Sequence, residues 1–156
     1  MKAVIYTKYG ALDVLQIIEL EKPTIKDDEV LLKIHATTVT SGDVRQRRGS
    51  RKSLPLWPIS KLVVGILKPK KTMLGFDLAG KIEAVGKTVT KFKVGDQVFG
   101  LSGGGTNVAY KSISEEGLLT LKPKNMTYEE ATSIPFGAST ALFFLRKANI
   151  RKGQKY

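Results

Sequence analysis

The chain has 156 residues, 42% hydrophobic and 26% charged, the size and balance of one globular domain. It has no cysteine, which excludes disulfides, thiolate nucleophiles and cysteine-ligated zinc. Its 26 basic and 14 acidic residues leave a net charge of +12.

From the start, Lys2–Thr7 alternates and is rich in Val, Ile and Tyr, so it reads as a strand ended by Gly10. Val14–Leu20 is a second strand, closed by Pro23. Asp27 and Asp28 form a turn before Glu29–Ala36, where Val30, Leu32, Ile34 and Ala36 share one face. Ser41 caps a short helix through Gln46. Arg48–Lys71 is basic and proline-punctuated, with an apolar patch at Leu62–Leu67 that suits a short helix. Leu78–Val85 is a strand with glycines at both ends, and Gly95-Asp96 a turn before the strand Gln97–Leu101. Gly103–Gly105 reads as a flexible loop, with strands to follow at Thr106–Ile113 and Leu118–Leu121. The pattern then changes. Thr127 and Glu130 form a capping box. Pro135 breaks or restarts the helix, and Ser139–Ala148 carries an apolar face of Leu142, Phe143 and Leu145. Many short strands argue for a barrel or sandwich. The expected division is a mainly β part with short helices over 1–125 and a helical segment over 126–156.

Nine Lys or Arg and no acid lie between Val44 and Phe76. This is either a nucleic-acid patch or a solvated face. No aromatic interleaving or nucleic-acid motif accompanies the charge, which favours the face. The stretch MKAVIYTKYG holds no apolar core of a signal peptide. No apolar run reaches the ~18–20 residues of a membrane span. A cytoplasmic protein with neither nucleic-acid nor membrane partner is expected.

MLGFDLAGKIEAVG at 73–86, followed by VTKFKVGDQVFG, resembles the N-terminal half of medium-chain dehydrogenases/reductases, closest to their zinc-independent quinone oxidoreductase branch. VLQIIELEKPTIKDDEVLLKIHATTVTSGDVRQRRG before it and LLTLKPKNMTYEEATSIPFGASTALFFL after it keep the family's order. The resemblance implies a GroES-like, partly open β-barrel followed by a helical segment leading to a Rossmann domain. In zinc-dependent relatives a cysteine and a histidine fall at Thr40 and Phe76, and a hydroxyl for proton relay at Gly42. Thr40 and Phe76 cannot supply a thiolate and an imidazole, so no metal is expected, and Phe76 reads as a wall of the cleft or as core.

The same resemblance implies that Thr40 and Ser41 face the nicotinamide and its ribose, although the family commonly has Asn at Thr40. Asp43 braces the cleft or serves a helix terminus. Arg45, a weak catalytic candidate, and Arg47 meet a phosphate or merely solvent. Thr140 approaches the cofactor or packs its helix. His35, the single histidine, reads as structural, and no side chain stands out as a general acid. The implied cofactor is NADP(H), and the implied substrate a quinone, enone or carbonyl compound. No G-x-G-x-x-G follows a strand in the 156 residues. The expectation is therefore an N-terminal fragment, inactive and without cofactor on its own, and able to pair with a second copy through its C-terminal helix. The alternative is a stand-alone binding or interaction domain using the basic segment 45–71.

Overall fold

The computed structural model describes residues 1–49, 69 and 72–149. The expected helix at Leu62–Leu67 and most of the basic segment lie outside the described residues.

Seven strands and three α-helices follow one another among the described residues. They are β1 (Lys2–Tyr6), β2 (Leu15–Glu19), β3 (Glu29–Thr37), α1 (Ser41–Arg48), β4 (Asp77–Val85), β5 (Gln97–Leu101), β6 (Tyr110–Ser114), β7 (Leu118–Leu121), α2 (Tyr128–Thr132) and α3 (Pro135–Lys147). Five strands pair in the order β6-β3-β4-β5-β7, and β1 pairs with β2 in a separate two-stranded sheet. Every pairing is antiparallel. The larger sheet curls into a half-barrel.

The curl has a local cause. The β3–β4 register shifts between Leu31 and Leu32 and again between Ile34 and Ala36, and such bulges bend and twist a strand. Gly80 faces the second irregularity, where a Cβ would lie 2.2 Å from the Lys33 carbonyl oxygen. Only glycine allows that approach.

Val30, Leu32, Leu78, Ile82 and Val98 form the main core, with Ile34, Val85, Phe92, Ile113 and Leu119 packed around them. Full burial of such side chains contributes about 1.5–3 kcal/mol each. Tyr6, Val14 and Leu74 form a second cluster under β1 and β2.

The expected strands at 97–101 and 118–121 appear with those bounds. Three readings shift. Val14 does not begin β2 but ends a 3-10 turn over Leu12–Val14, where its side chain fills the second cluster. The helix cap is Thr40 rather than Ser41, and α1 runs on to Arg48. The strand expected over 106–113 starts only at Tyr110. Residues ahead of it bond to β1, through Val4 N to Asn107 O at 2.9 Å and Ala109 N to Lys2 O at 3.0 Å, while Ala109 O still accepts from Ile34 N of β3 at 3.0 Å. The glycine loop at 103–105 is tied down, because the Lys111 ammonium donates to Gly104 O at 2.9 Å. No helix among the described residues is long and apolar enough to cross a membrane.

Candidate functional site

Two adjacent hydroxyls, Thr40 and Ser41, leave the sheet at the end of β3. Thr40 takes extended backbone and caps α1. Asp43 closes the box: its Oδ2 accepts from Thr40 N at 2.7 Å and from Thr40 Oγ1 at 2.8 Å. A carboxylate in the first turn also meets the positive end of the helix dipole. The other oxygen, Oδ1, accepts from Gly75 N at 2.8 Å, 32 residues on. Asp43 is 2% exposed. One carboxylate thus joins the start of α1 to the strand entry at 75–77.

Gly75 is itself constrained. Its φ is +93°, and a Cβ there would lie 2.2 Å from Thr106 Oγ1. Thr106 is fully buried and shares a 2.8 Å hydrogen bond with Thr37 Oγ1, which also donates to Asp77 O at 2.8 Å.

Asp77 is the second buried carboxylate, 2% exposed. Its Oδ2 accepts from Thr38 Oγ1 at 2.7 Å, and its Oδ1 accepts from Phe136 N at 3.2 Å. Phe136 is the second residue of α3, whose own N-cap residue, Ile134, supplies no side-chain cap.

These elements enclose a cavity of about 780 Å³. Thr40, Ser41, Gly42 and Arg45 line it from α1, Phe76 and Asp77 from the strand entry, and Phe136 from α3. Leu101, Ser102, Gly103, Ile113, Gly117 and Leu118 complete the described lining. Arg45 is exposed and is the one cation in that lining. No histidine, cysteine or lysine is among these residues, so the described residues of the cleft offer no nucleophile paired with a base. It offers hydroxyls, one guanidinium and apolar walls, which suits binding and orienting a mostly apolar molecule.

The structure brings Thr40, Ser41 and Arg45 together beside Phe76 in one cavity lining. Asp43 and Arg47 instead line a second, apolar cavity of about 550 Å³ between β1, β2 and α1. Arg47 is 4% exposed, and its Nη1 donates to Gly10 O at 2.6 Å, which ties the loop after β1 to the helix. The Thr140 hydroxyl donates back to Phe136 O at 2.7 Å, within its own helix. His35 stacks on Tyr128 with ring centroids 4.5 Å apart, at the edge of the second cavity. Sequence reasoning missed Asp77 and Ser102. Asp77 stood in the quoted glycine motif, but its partner Phe136 is 59 residues away.

Thr40's hydroxyl is engaged with Asp43, and Phe76 has no donor atom. Among the described residues, no group of three His, Cys, Asp or Glu is placed to hold a metal ion. The residues present do not fit a zinc site.

The alcohol dehydrogenase GroES-like domain model matches residues 26–123. The chain is 35% identical to 2-methylene-furan-3-one reductase of Solanum lycopersicum, an alignment spanning 99% of this chain and 39% of that protein. It is 33% identical to the chloroplastic NADPH-dependent alkenal/one oxidoreductase of Arabidopsis thaliana, over 90% of this chain and 36% of that one. The quinone oxidoreductase structure from Coxiella burnetii superposes with a TM-score of 0.81 at 25% identity, covering 98% of this chain and 46% of that chain. The chain thus spans about two fifths of the length of the curated relatives it matches.

Proposed function

Because the chain belongs to the alcohol dehydrogenase GroES-like domain family, we propose that it is the substrate-side half of a zinc-independent, NADPH-dependent reductase of quinones, enones or related conjugated carbonyl compounds. The observation that carries this reading is the cleft between α1, the strand entry and α3. It sets Thr40, Ser41 and Arg45 beside Phe76, with no metal-ligand set among the described residues. The activities for which the tomato and Arabidopsis relatives are named support the same substrate class.

A reduced nicotinamide supplies hydride chemistry when bound. The work left to this chain is binding and positioning. Ser41 offers a hydroxyl and Arg45 a guanidinium to an acceptor's carbonyl oxygen. Phe76, Leu101, Ile113 and Phe136 exclude water from the rest of it. Thr40 shapes the nicotinamide side of the cleft through the backbone that Asp43 holds, and Thr140 meets the cofactor from α3. The proton that completes the reduction comes from water, since no described side chain of the cleft stands out as a general acid. In this reading the pyrophosphate site, a glycine-rich turn at a helix N-terminus, is not encoded in these 156 residues, and the chain alone turns nothing over.

Metal analysis and titration calorimetry test this reading. Protein purified without added metal should carry substoichiometric zinc and show no micromolar affinity for NADPH. Stoichiometric zinc held at Thr40 contradicts the metal-free reading. Micromolar NADPH binding places the whole cofactor site in this chain and contradicts the half-site.

A further inference from the structure

We infer that Asp77 is a positioning residue: its carboxylate latches the first turn of α3 to the sheet, so that Phe136 forms one wall of the cleft and sets the fit of a flat, conjugated acceptor. The inference rests on the function proposed above for the identity of the acceptor, and on geometry alone for the latch.

The helix needs an outside partner. The first four amides of an α-helix have no acceptor of their own. Pro135 removes one, and Ile134 offers no side-chain acceptor for the rest. Asp77 Oδ1 meets the Phe136 amide at 3.2 Å. Its negative charge sits at the positive end of a 13-residue helix, where it is favoured.

The carboxylate cannot drift. Thr38 Oγ1 holds its other oxygen at 2.7 Å, Thr37 Oγ1 holds its backbone oxygen at 2.8 Å, and β4 pairs it with Leu101 of β5. The helix, by contrast, buries only Pro135. Among the described residues, the Asp77–Phe136 bond is the one side-chain hydrogen bond joining α3 to the sheet.

Chain order completes the inference. Phe76, adjacent to Asp77, and Phe136, held by Asp77, line the same cavity from two elements. Two aromatic walls suit a flat π-system, which favours offset stacking or edge contact with each ring. Releasing the latch moves one wall and leaves the other in place.

A double-mutant cycle with 1,4-naphthoquinone reads this directly. Asp77→Ala should weaken quinone binding about tenfold, the loss of one charge-assisted hydrogen bond at ~1.4 kcal/mol. Phe136→Ala should weaken it similarly, and the double variant no further. Asp77→Asn should restore most of the affinity, because its amide oxygen can still accept from Phe136 and its NH₂ can donate to Thr38. A role in general stability predicts additive losses and no rescue. Additive losses, or an unchanged affinity in Asp77→Ala, overturn the inference.

Hydrogen exchange on the unmutated chain keeps the latch testable should Asp77→Ala fail to fold. The Phe136 amide should exchange at least ~10-fold more slowly than the Gly137 amide, as expected of a bonded first-turn amide. Equal rates overturn the latch. A protected Phe136 amide in a chain that binds no quinone sustains the latch and removes the proposed substrate instead.

Discussion

Two helices face each other across the cleft, and they are held in opposite ways. α1 is short and strongly polar, yet it buries Asp43 and Arg47. Asp43 fastens its first turn to Gly75, Arg47 fastens its last to Gly10, and Gln46 Nε2 reaches the hydroxyl of buried Tyr6 at 3.2 Å. α3 is longer and richly apolar, yet it buries only Pro135. Phe136, Phe143 and Phe144 are each about 60% exposed. One wall of the cleft is thus part of the barrel, and the other is joined to it, among the described residues, by one side-chain hydrogen bond and the buried Pro135. Polar side chains with satisfied bonds fix a helix better here than apolar ones without a surface to meet.

The largest effect belongs to α1's anchor. Asp43→Ala leaves two amides and a hydroxyl without their acceptor inside the fold. It should cost about 3–4 kcal/mol, read as a drop in the denaturation midpoint, since each orphaned buried group costs roughly 1–3 kcal/mol. Gly75→Ala attacks the same junction from the other side. Its positive φ and the 2.2 Å approach to Thr106 Oγ1 should cost about 2–3 kcal/mol.

Alkaline pH should loosen α1 before α3. Burial raises the Tyr6 hydroxyl's pKa above the usual 10.0, outweighing the opposing hydrogen bond from Gln46. A raised folded-state pKa means that the neutral phenol is the form the fold favours. Its contribution is complete below about pH 10 and is lost as pH rises through the folded-state value. A thermal melt followed at Tyr6 should show the decline, and Tyr6→Phe should remove it.

The smallest effect on stability belongs to α3. Phe143→Ser should shift stability by less than about 0.5 kcal/mol, because the side chain is 59% exposed. It should, however, reduce self-association in sedimentation runs at raised salt, where the repulsion of a +12 chain is screened. A loss above ~1 kcal/mol would place Phe143 in a packed interior and erase the contrast between the helices.

Much of this architecture is legible locally. β5 and β7 carry their own turn signals, and Thr127 and Glu130 spell a capping box that α2 forms at 2.8 and 3.1 Å. The cap of α1 was readable by the same rule. An acid stands three residues after Thr40, whereas three after Ser41 stands Val44. What local pattern does not carry is long-range satisfaction. Thr106 leaves its strand for Gly75 and Thr37, and Asp77 finds an amide 59 residues away. Thr40, Ser41, Arg45 and Phe76 were each singled out by family resemblance, not by spacing. Arg47's burial against Gly10 was invisible because a charged residue in a basic run reads as solvated.

The most direct test is a chemical-shift titration of the isotope-labelled chain with 1,4-naphthoquinone in the presence of a chelator. The largest shifts should fall on Ser41, Gly42, Phe76, Ser102 and Phe136, the residues that line the larger cavity. Shifts centred instead on Val4, Ile17 and His35 around the second cavity, or binding that appears only when zinc is added, would contradict a metal-free acceptor site between α1 and α3.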